Sequence, residues 1–141
     1  MEFQLERFSE AQDTLYLQAL SEVGNGRKVS HWMWFIFPQL KGLGSSSTAL
    51  FYGIDGFGEA TAYFNHPVLG KRLVEISETL LTIKGRSANS IFGTPDDLKL
   101  KSSMTLFSKV ENADPVFKKV LQQYFDGKED LRTVQMMDKA H

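Results

Sequence analysis

The chain has 141 residues, contains no cysteine and carries 16 Lys and Arg against 17 Asp and Glu, for a net charge of −1. This length fits one domain that can bury a hydrophobic core without covalent cross-links. The lack of cysteine excludes disulfides, thiolate catalysis and zinc–thiolate sites. The near-zero net charge argues against a general nucleic-acid-binding protein, which needs a basic face.

Nothing in the sequence suggests export or membrane insertion. Residues 1–6, MEFQLE, are acidic and amphipathic, unlike a signal peptide. The longest apolar run, Trp32 to Phe37, is far shorter than the roughly 20 residues needed to span a bilayer. We therefore expect a cytoplasmic protein with no membrane association.

Apolar residues recur at intervals of three and four along most of the chain, which indicates amphipathic helices. The predicted helices cover residues 5–23, 30–37, 56–65, 67–83, 95–107, 117–125 and 129–140, with a short helical turn at 49–52. Proline is expected at the first position of three helices. The residue before each proline is expected to cap its helix, loosely in the case of His66 and more fully in the cases of Thr94 and Asp114. No segment alternates for long enough to require a strand. We predict an all-α, compact multihelical single domain over residues 1–141, with six to seven helices.

Residues 27–39, RKVSHWMWFIFPQ, form an aromatic segment that holds both tryptophans, two phenylalanines and one of the three histidines. Their bulk predicts a buried helix with Ser30 as N-cap and Pro38 at its end. A helix N-terminus attracts anions, so Lys28 and Ser30 are candidate anion ligands, and His31 is a candidate general acid or base. The alternative is that the serine is only a cap, the cations are solvated and the imidazole packs on a tryptophan.

Two further groups of polar residues lie on apolar helix faces. Gln12 lies on the apolar stripe of the first helix, where it either ties down a neighbouring loop or meets a ligand. Lys101, Ser102 and Ser103 lie in the middle of a helix beside two apolar rows, which indicates either a polar pocket or a hydrogen bond between helices.

Motifs for metals and cofactors are missing from the sequence. The three histidines are scattered, so we expect no metal site, and no glycine-rich nucleotide motif has the required spacing, so we expect no cofactor. Lys71 and Arg72 are more typical of a solvated helix face than of a phosphate site.

Four segments together resemble the domain-of-unknown-function family numbered 1810, a bacterial family. They are Ser30 to Gly44, His66 to Gly70 with Arg72-Leu73, Ile91 to Gly93, and Asp96 to Phe107, and Arg7-Phe8 with Ala11-Gln12 near the start belongs to the same pattern. The resemblance covers nearly the whole chain and implies a small, single-domain, multihelical protein, but it supplies no reaction and no catalytic roles. The label calpastatin-like, sometimes given to this family, has no support in these residues. The positions that match its motifs are Gln12, Lys28, Ser30, His31, Trp32, Trp34, Gln39, His66, Lys99, Ser102 and Ser103.

We expect these residues to form a pocket for a small anionic or nucleotide-like ligand. Trp32 or Trp34 would stack a ring, Lys28 and Lys101 would hold a phosphate or carboxylate, and His31 would be the acid–base group. The predicted ligand-binding residues are Gln12, Lys28, Ser30, Trp32, Trp34, Gln39, Lys101, Ser102 and Ser103. The alternative is a helical protein–protein interaction module without catalytic activity, in which the aromatic segment is only core.

Overall fold

The computed structural model describes the backbone of residues 3–140 and the side chains of residues 3–138. This part of the chain forms nine α-helices and no strand, and an isolated parallel bridge joins Leu40 to Ile54. The prediction of an all-α fold is confirmed. In chain order the helices are α1 (Glu6–Gly24), α2 (Met33–Ile36), α3 (Ser47–Tyr52), α4 (Gly56–Asn65), α5 (Leu69–Thr82), α6 (Ala88–Phe92), α7 (Asp96–Ser108), α8 (Val116–Phe125) and α9 (Leu131–Ala140).

The aromatic segment contains much less helix than predicted. Only the four residues of α2 are helical, and Ser30 lies outside the helix. The prediction of Ser30 as an N-cap is wrong because its hydroxyl and its backbone N–H both donate to the carboxylate of Glu22. The side chain of Glu22, on α1, therefore prevents this segment from forming a helix at Ser30. The short α6 was also not predicted.

The predicted caps differ in outcome. The imidazole Nδ1 of His66 accepts hydrogen bonds from the N–H groups of Val68 and Leu69, both at 3.1 Å, so it caps α5 as expected, although the helix begins after Pro67 rather than at it. Asp114 caps α8 by accepting from Val116 N–H at 2.9 Å. Thr94 does not cap α7, because its hydroxyl accepts from the side-chain amide of Asn89 instead.

A chain of buried rings joins four helices at the centre of the core. Phe8 of α1 contacts Tyr63 of α4 edge-on, with ring centroids 5.0 Å apart. Tyr63 contacts Phe107 of α7 at 5.2 Å, and Phe107 contacts Phe117 of α8 at 6.0 Å. All four rings are fully buried. Such tilted and edge-to-face pairs stabilise packing beyond the area that they bury.

A buried ion pair fixes α1 against α4 and the end of α3. The two terminal nitrogens of Arg7 donate to the two carboxylate oxygens of Glu59 at 2.9 and 3.0 Å. The remaining donors of the guanidinium reach backbone carbonyls, among them those of Phe51 at 2.8 Å and Gly53 at 3.1 Å. Because every partner is satisfied, the pair fixes the position of this part of the chain.

The close approach of α4 and α5 requires glycine at position 70. A Cβ added to Gly70 would lie 2.0 Å from the carbonyl oxygen of Phe64, which is backbone and cannot move aside alone. This contact explains why the residue after His66 to Leu69 is a glycine.

We expect Gly70→Ala to lower the free energy of unfolding by at least about 2 kcal/mol, because the two helices must separate. Gly24→Ala is the matched control. A Cβ there would meet only Thr79 Cγ2, at 3.8 Å. Since alanine is the better helix former, this control is expected to be neutral or to stabilise by up to about 1 kcal/mol. Urea denaturation followed by circular dichroism measures both, and equal stability of the two variants would contradict the packing described.

Candidate functional site

The carboxylate of Glu22, near the end of α1, accepts hydrogen bonds from the first half of the aromatic segment. It accepts hydrogen bonds from the N–H groups of Val29 and Ser30 at 2.8 and 2.9 Å and from the Ser30 hydroxyl at 2.7 Å. It also accepts from the indole N–H of Trp32 at 2.9 Å. The Ser30 hydroxyl in turn accepts from Gln18. Ser30 is therefore fully engaged in this network.

These hydrogen bonds control the ionisation of Glu22. Partial burial of the carboxylate raises its pKa, but the hydrogen bonds from Ser30, Val29 and Trp32 outweigh burial and lower the pKa from 4.5 to about 2. The group is therefore a carboxylate at neutral pH.

Lys28 is a buried cation with two electrostatic partners. Its side chain is only 8% exposed, and its ammonium lies 2.9 Å from the carboxylate of Asp96 at the start of α7. The ammonium also lies 5.1 Å from the ring centre of Trp32, a cation–π distance. The backbone N–H of Lys28 donates to the carbonyl of Ile91 at 2.7 Å. A buried ammonium needs such partners to offset desolvation.

A second lysine shares the same carboxylate. Lys99, one turn along α7, lies 3.6 Å from Asp96 and 5.2 Å from the ring centre of Trp34. The neighbouring carboxylate of Asp97 is turned away, because it accepts hydrogen bonds from Leu98 N–H and from the amide of Asn89. Two ammonium groups therefore share one carboxylate, which leaves an excess positive charge beside the indole.

Trp34, Lys99 and Gln39 line one shallow crevice between α2, α3 and α7, together with Tyr52. Its enclosed volume is only about 10 Å³, which admits roughly one water molecule. The backbone at Gln39 is fixed because its carbonyl accepts from Ile54 N–H at 2.9 Å. Of the residues predicted to bind a ligand, Trp34 and Gln39 lie in this crevice, and Lys28 lies beside it through the shared Asp96.

The polar groups of this crevice have few partners within the protein. The indole N–H of Trp34, the amide of Gln39 and the hydroxyl of Tyr52 make no hydrogen bond with any other described residue. The ammonium of Lys99 has only the 3.6 Å contact with Asp96. None of the three unbonded groups is a fully buried atom, so they are accessible at the crevice and make it the candidate binding site.

Gln12 and Trp32 lie in the core instead. The Gln12 side chain is 1% exposed, and its amide nitrogen donates to the carbonyl of Phe35 at 2.7 Å and to the hydroxyl of Tyr63 at 2.9 Å. It therefore acts as the structural tie that was one of its two predicted roles. Trp32 is fully buried and bonded to Glu22, so only Trp34 offers a partly exposed indole.

The predicted residues of α7 do not face one pocket. Ser102 donates to the carbonyl of Leu98, one turn earlier, at 3.1 Å. Ser103 is fully buried, and its hydroxyl has no hydrogen-bond partner among the described residues. Lys101 lines a separate cleft with Lys118. The expectation that Lys28 and Lys101 hold the same anion therefore lacks structural support, because Lys101 lies in that other cleft and Lys28 does not.

His31, the predicted general acid or base, is exposed at the surface. Its imidazole makes no hydrogen bond or ion pair within the described part of the chain, and it does not line the crevice. Arg72 is engaged in structure, since its guanidinium contacts Asp13 at 3.2 Å and lies 5.2 Å from the ring centre of Tyr16.

The role of Asp96 was not predicted from the sequence, and Lys99 entered only as a family motif position. Asp96 was explained by its place in the first turn of a helix, where a carboxylate complements the dipole. The sequence signal for this pair was the spacing of Asp96 and Lys99, three positions apart on one helix, which allows an ion pair. It could not show that Lys28, from a distant part of the chain, completes the cluster.

The described residues define an all-α protein with a lysine- and aromatic-lined crevice. They include no group of three histidine, aspartate or glutamate side chains placed to hold a metal ion. No described helix has both the length and the apolar character needed to cross a membrane.

The chain belongs to the family described as protein of unknown function DUF1810, whose model matches residues 2–137. The resemblance found in the sequence is thereby confirmed. A solved structure, the conserved hypothetical protein Rv1873 from Mycobacterium tuberculosis, is similar to this chain with a TM-score of 0.94 and 49% identity. The match covers 96% of this chain and 97% of that one. No curated protein matches the chain significantly.

We expect Glu22→Gln to lower the free energy of unfolding by about 1–3 kcal/mol at neutral pH, because the amide cannot accept all of these hydrogen bonds. The folded-state pKa is depressed, so the contribution of the carboxylate is complete above pH 4.5 and is lost as the pH falls toward 2. The stability difference between wild type and variant should therefore shrink over that range. Urea denaturation at several pH values measures it, with the exposed Glu10→Gln as control. A difference that stays constant down to about pH 2 would refute this role.

Proposed function

We propose that this protein binds a small anionic molecule carrying a flat ring at the crevice lined by Trp34, Gln39, Tyr52 and Lys99. One observation carries the proposal. These side chains come from α2, the segment after it, α3 and α7, and three of their polar groups have no hydrogen-bond partner within the described residues. In contrast, Gln12 in the core uses both amide hydrogens.

The charges at the crevice favour an anion. The ammonium groups of Lys28 and Lys99 share the single carboxylate of Asp96, at 2.9 and 3.6 Å. The side chains of both lysines are mostly buried, at 8% and 23% exposure, so solvent screens their charges less than at an open surface. A phosphate or carboxylate beside Lys99 would balance the excess positive charge.

The shape of the crevice sets how the ligand lies. An enclosed volume of about 10 Å³ cannot hold a ring, so the ligand lies across the mouth, with its ring on the partly exposed indole of Trp34. A ligand held in this way keeps much of its surface in water. We therefore expect an affinity between about 10 μM and 1 mM.

A panel of nucleoside phosphates and phosphorylated metabolites tests the proposal by thermal shift, calorimetry and tryptophan fluorescence. At least one compound should raise the melting temperature and change the fluorescence of Trp34. Trp34→Phe should abolish that change, since Trp32 is fully buried and remains. Lys99→Gln should weaken binding by about tenfold, because it removes the charge-assisted contact.

Lys71→Gln is the matched control, since this lysine is exposed and does not line the crevice. The proposal fails if no compound binds, or if Trp34→Phe and Lys99→Gln bind as well as the wild type.

The alternative, a protein–protein interaction module, concerns a different surface. This surface is an open groove of about 1160 Å³ along α1 and α5, where Leu17 is 77% exposed. Concentration-dependent self-association in the ultracentrifuge, without any ligand response, would favour that alternative.

A further inference from the structure

A second cleft lies between α7, α8 and the loop that joins α8 to α9. Its volume is about 530 Å³, within the range of roughly 300–1,000 Å³ that small-molecule sites occupy. Three lysines from three different elements line it: Lys101 from α7, Lys118 from α8 and Lys128 from the loop. Leu121 and Leu131 supply apolar wall. The crevice proposed above shares no lining residue with this cleft.

The three lysines have no acidic partner. None of them forms an ion pair within the part of the chain whose side chains are described. The one carboxylate in the lining, that of Glu129, forms an ion pair with Lys109 instead. Its charge is therefore already balanced by a lysine that does not line the cleft.

The other carboxylates of the loop form no ion pair with these lysines. The side chain of Asp130 accepts hydrogen bonds from the N–H and the hydroxyl of Thr133, and so caps α9. Asp126 is exposed and forms no ion pair with a described residue. In a chain whose net charge is −1, three ammonium groups therefore line one cleft without an ion pair to any described carboxylate.

The backbone at Lys101 is held in place by hydrogen bonds. The hydroxyl of Thr105 donates to the carbonyl of Lys101 at 2.8 Å and accepts from Asp130 N–H at 2.9 Å, which ties α7 to the loop. The ammonium of Lys101 lies 6.0 Å from the ring centre of Phe125, a cation–π distance.

The loop on the other side of the cleft is also held by backbone hydrogen bonds. Gly127 N–H donates to the carbonyl of Leu121, and Lys128 N–H donates to that of Phe125, both at 3.0 Å. A site whose walls are already ordered loses less conformational entropy on binding.

We propose that this cleft binds a small molecule with two or more phosphate or carboxylate groups. Lysine ammonium groups are compact charges that donate to such oxygens. The three ammonium groups lie on three different elements of the cleft. A ligand with several anionic groups can contact all three lysines, whereas a single anion can contact only some of them. The proposal is independent of the function proposed for the Trp34 crevice.

Calorimetry with inorganic triphosphate, citrate and orthophosphate at about 50 mM salt tests the proposal. We expect triphosphate or citrate to bind at least about tenfold more tightly than orthophosphate, and the tighter of the two identifies the anionic group. The variant K101Q/K118Q/K128Q should weaken that binding by at least about 30-fold, and K128Q alone by about fivefold.

K119Q is the matched control, because Lys119 is the exposed neighbour of Lys118 on α8 and does not line the cleft. It should change the affinity by less than about twofold. The proposal is overturned if neither polyanion binds, if the triple variant binds like the wild type, or if Lys99→Gln abolishes binding while K128Q does not. Binding of an acidic, leucine-containing peptide without binding of either polyanion would also overturn it. K128Q changes an exposed loop residue, so it keeps the test decisive even if the triple variant fails to fold.

Discussion

Near the end of α1, the carboxylate of Glu22 accepts hydrogen bonds from both the backbone and the side chains of residues 29–32. These bonds replace the helical hydrogen bonds that this segment would otherwise make. They also fix the indole of Trp32, on which the ammonium of Lys28 lies. The ammonium of Lys28, which pairs with Asp96, therefore lies on an indole that this acceptor holds in place.

Polar groups in this protein fall into two kinds. The Arg7–Glu59 pair and Gln12 are buried and bonded to other residues, so they fix the relative positions of helices. The polar groups of Trp34 and Gln39 line a crevice and have no such bonds within the described residues. The second kind is open to a bond from outside the protein, and the proposed ligand site rests on it.

Much of the fold could be predicted because amphipathic periodicity is a local property. The stripes of α1, α5 and α8 and the cap supplied by Asp114 follow from residues close together in the chain. The aromatic segment was mispredicted because Glu22, eight positions before Ser30, takes the hydrogen bonds that a helix would need. The sequence predicted that Trp34 and Gln39 bind a ligand, and both line the crevice, but it did not predict the role of Asp96.

The sequence by itself determined that the chain is helical, where its longer helices lie and that its aromatic segment is buried, because these depend on the spacing of apolar residues. Only the tertiary structure decided which polar residues meet. It placed Lys28 with Asp96 and separated Lys101 from both, because hydrogen bonds and ion pairs between distant segments set these positions. Such pairings leave no periodic signal in the chain.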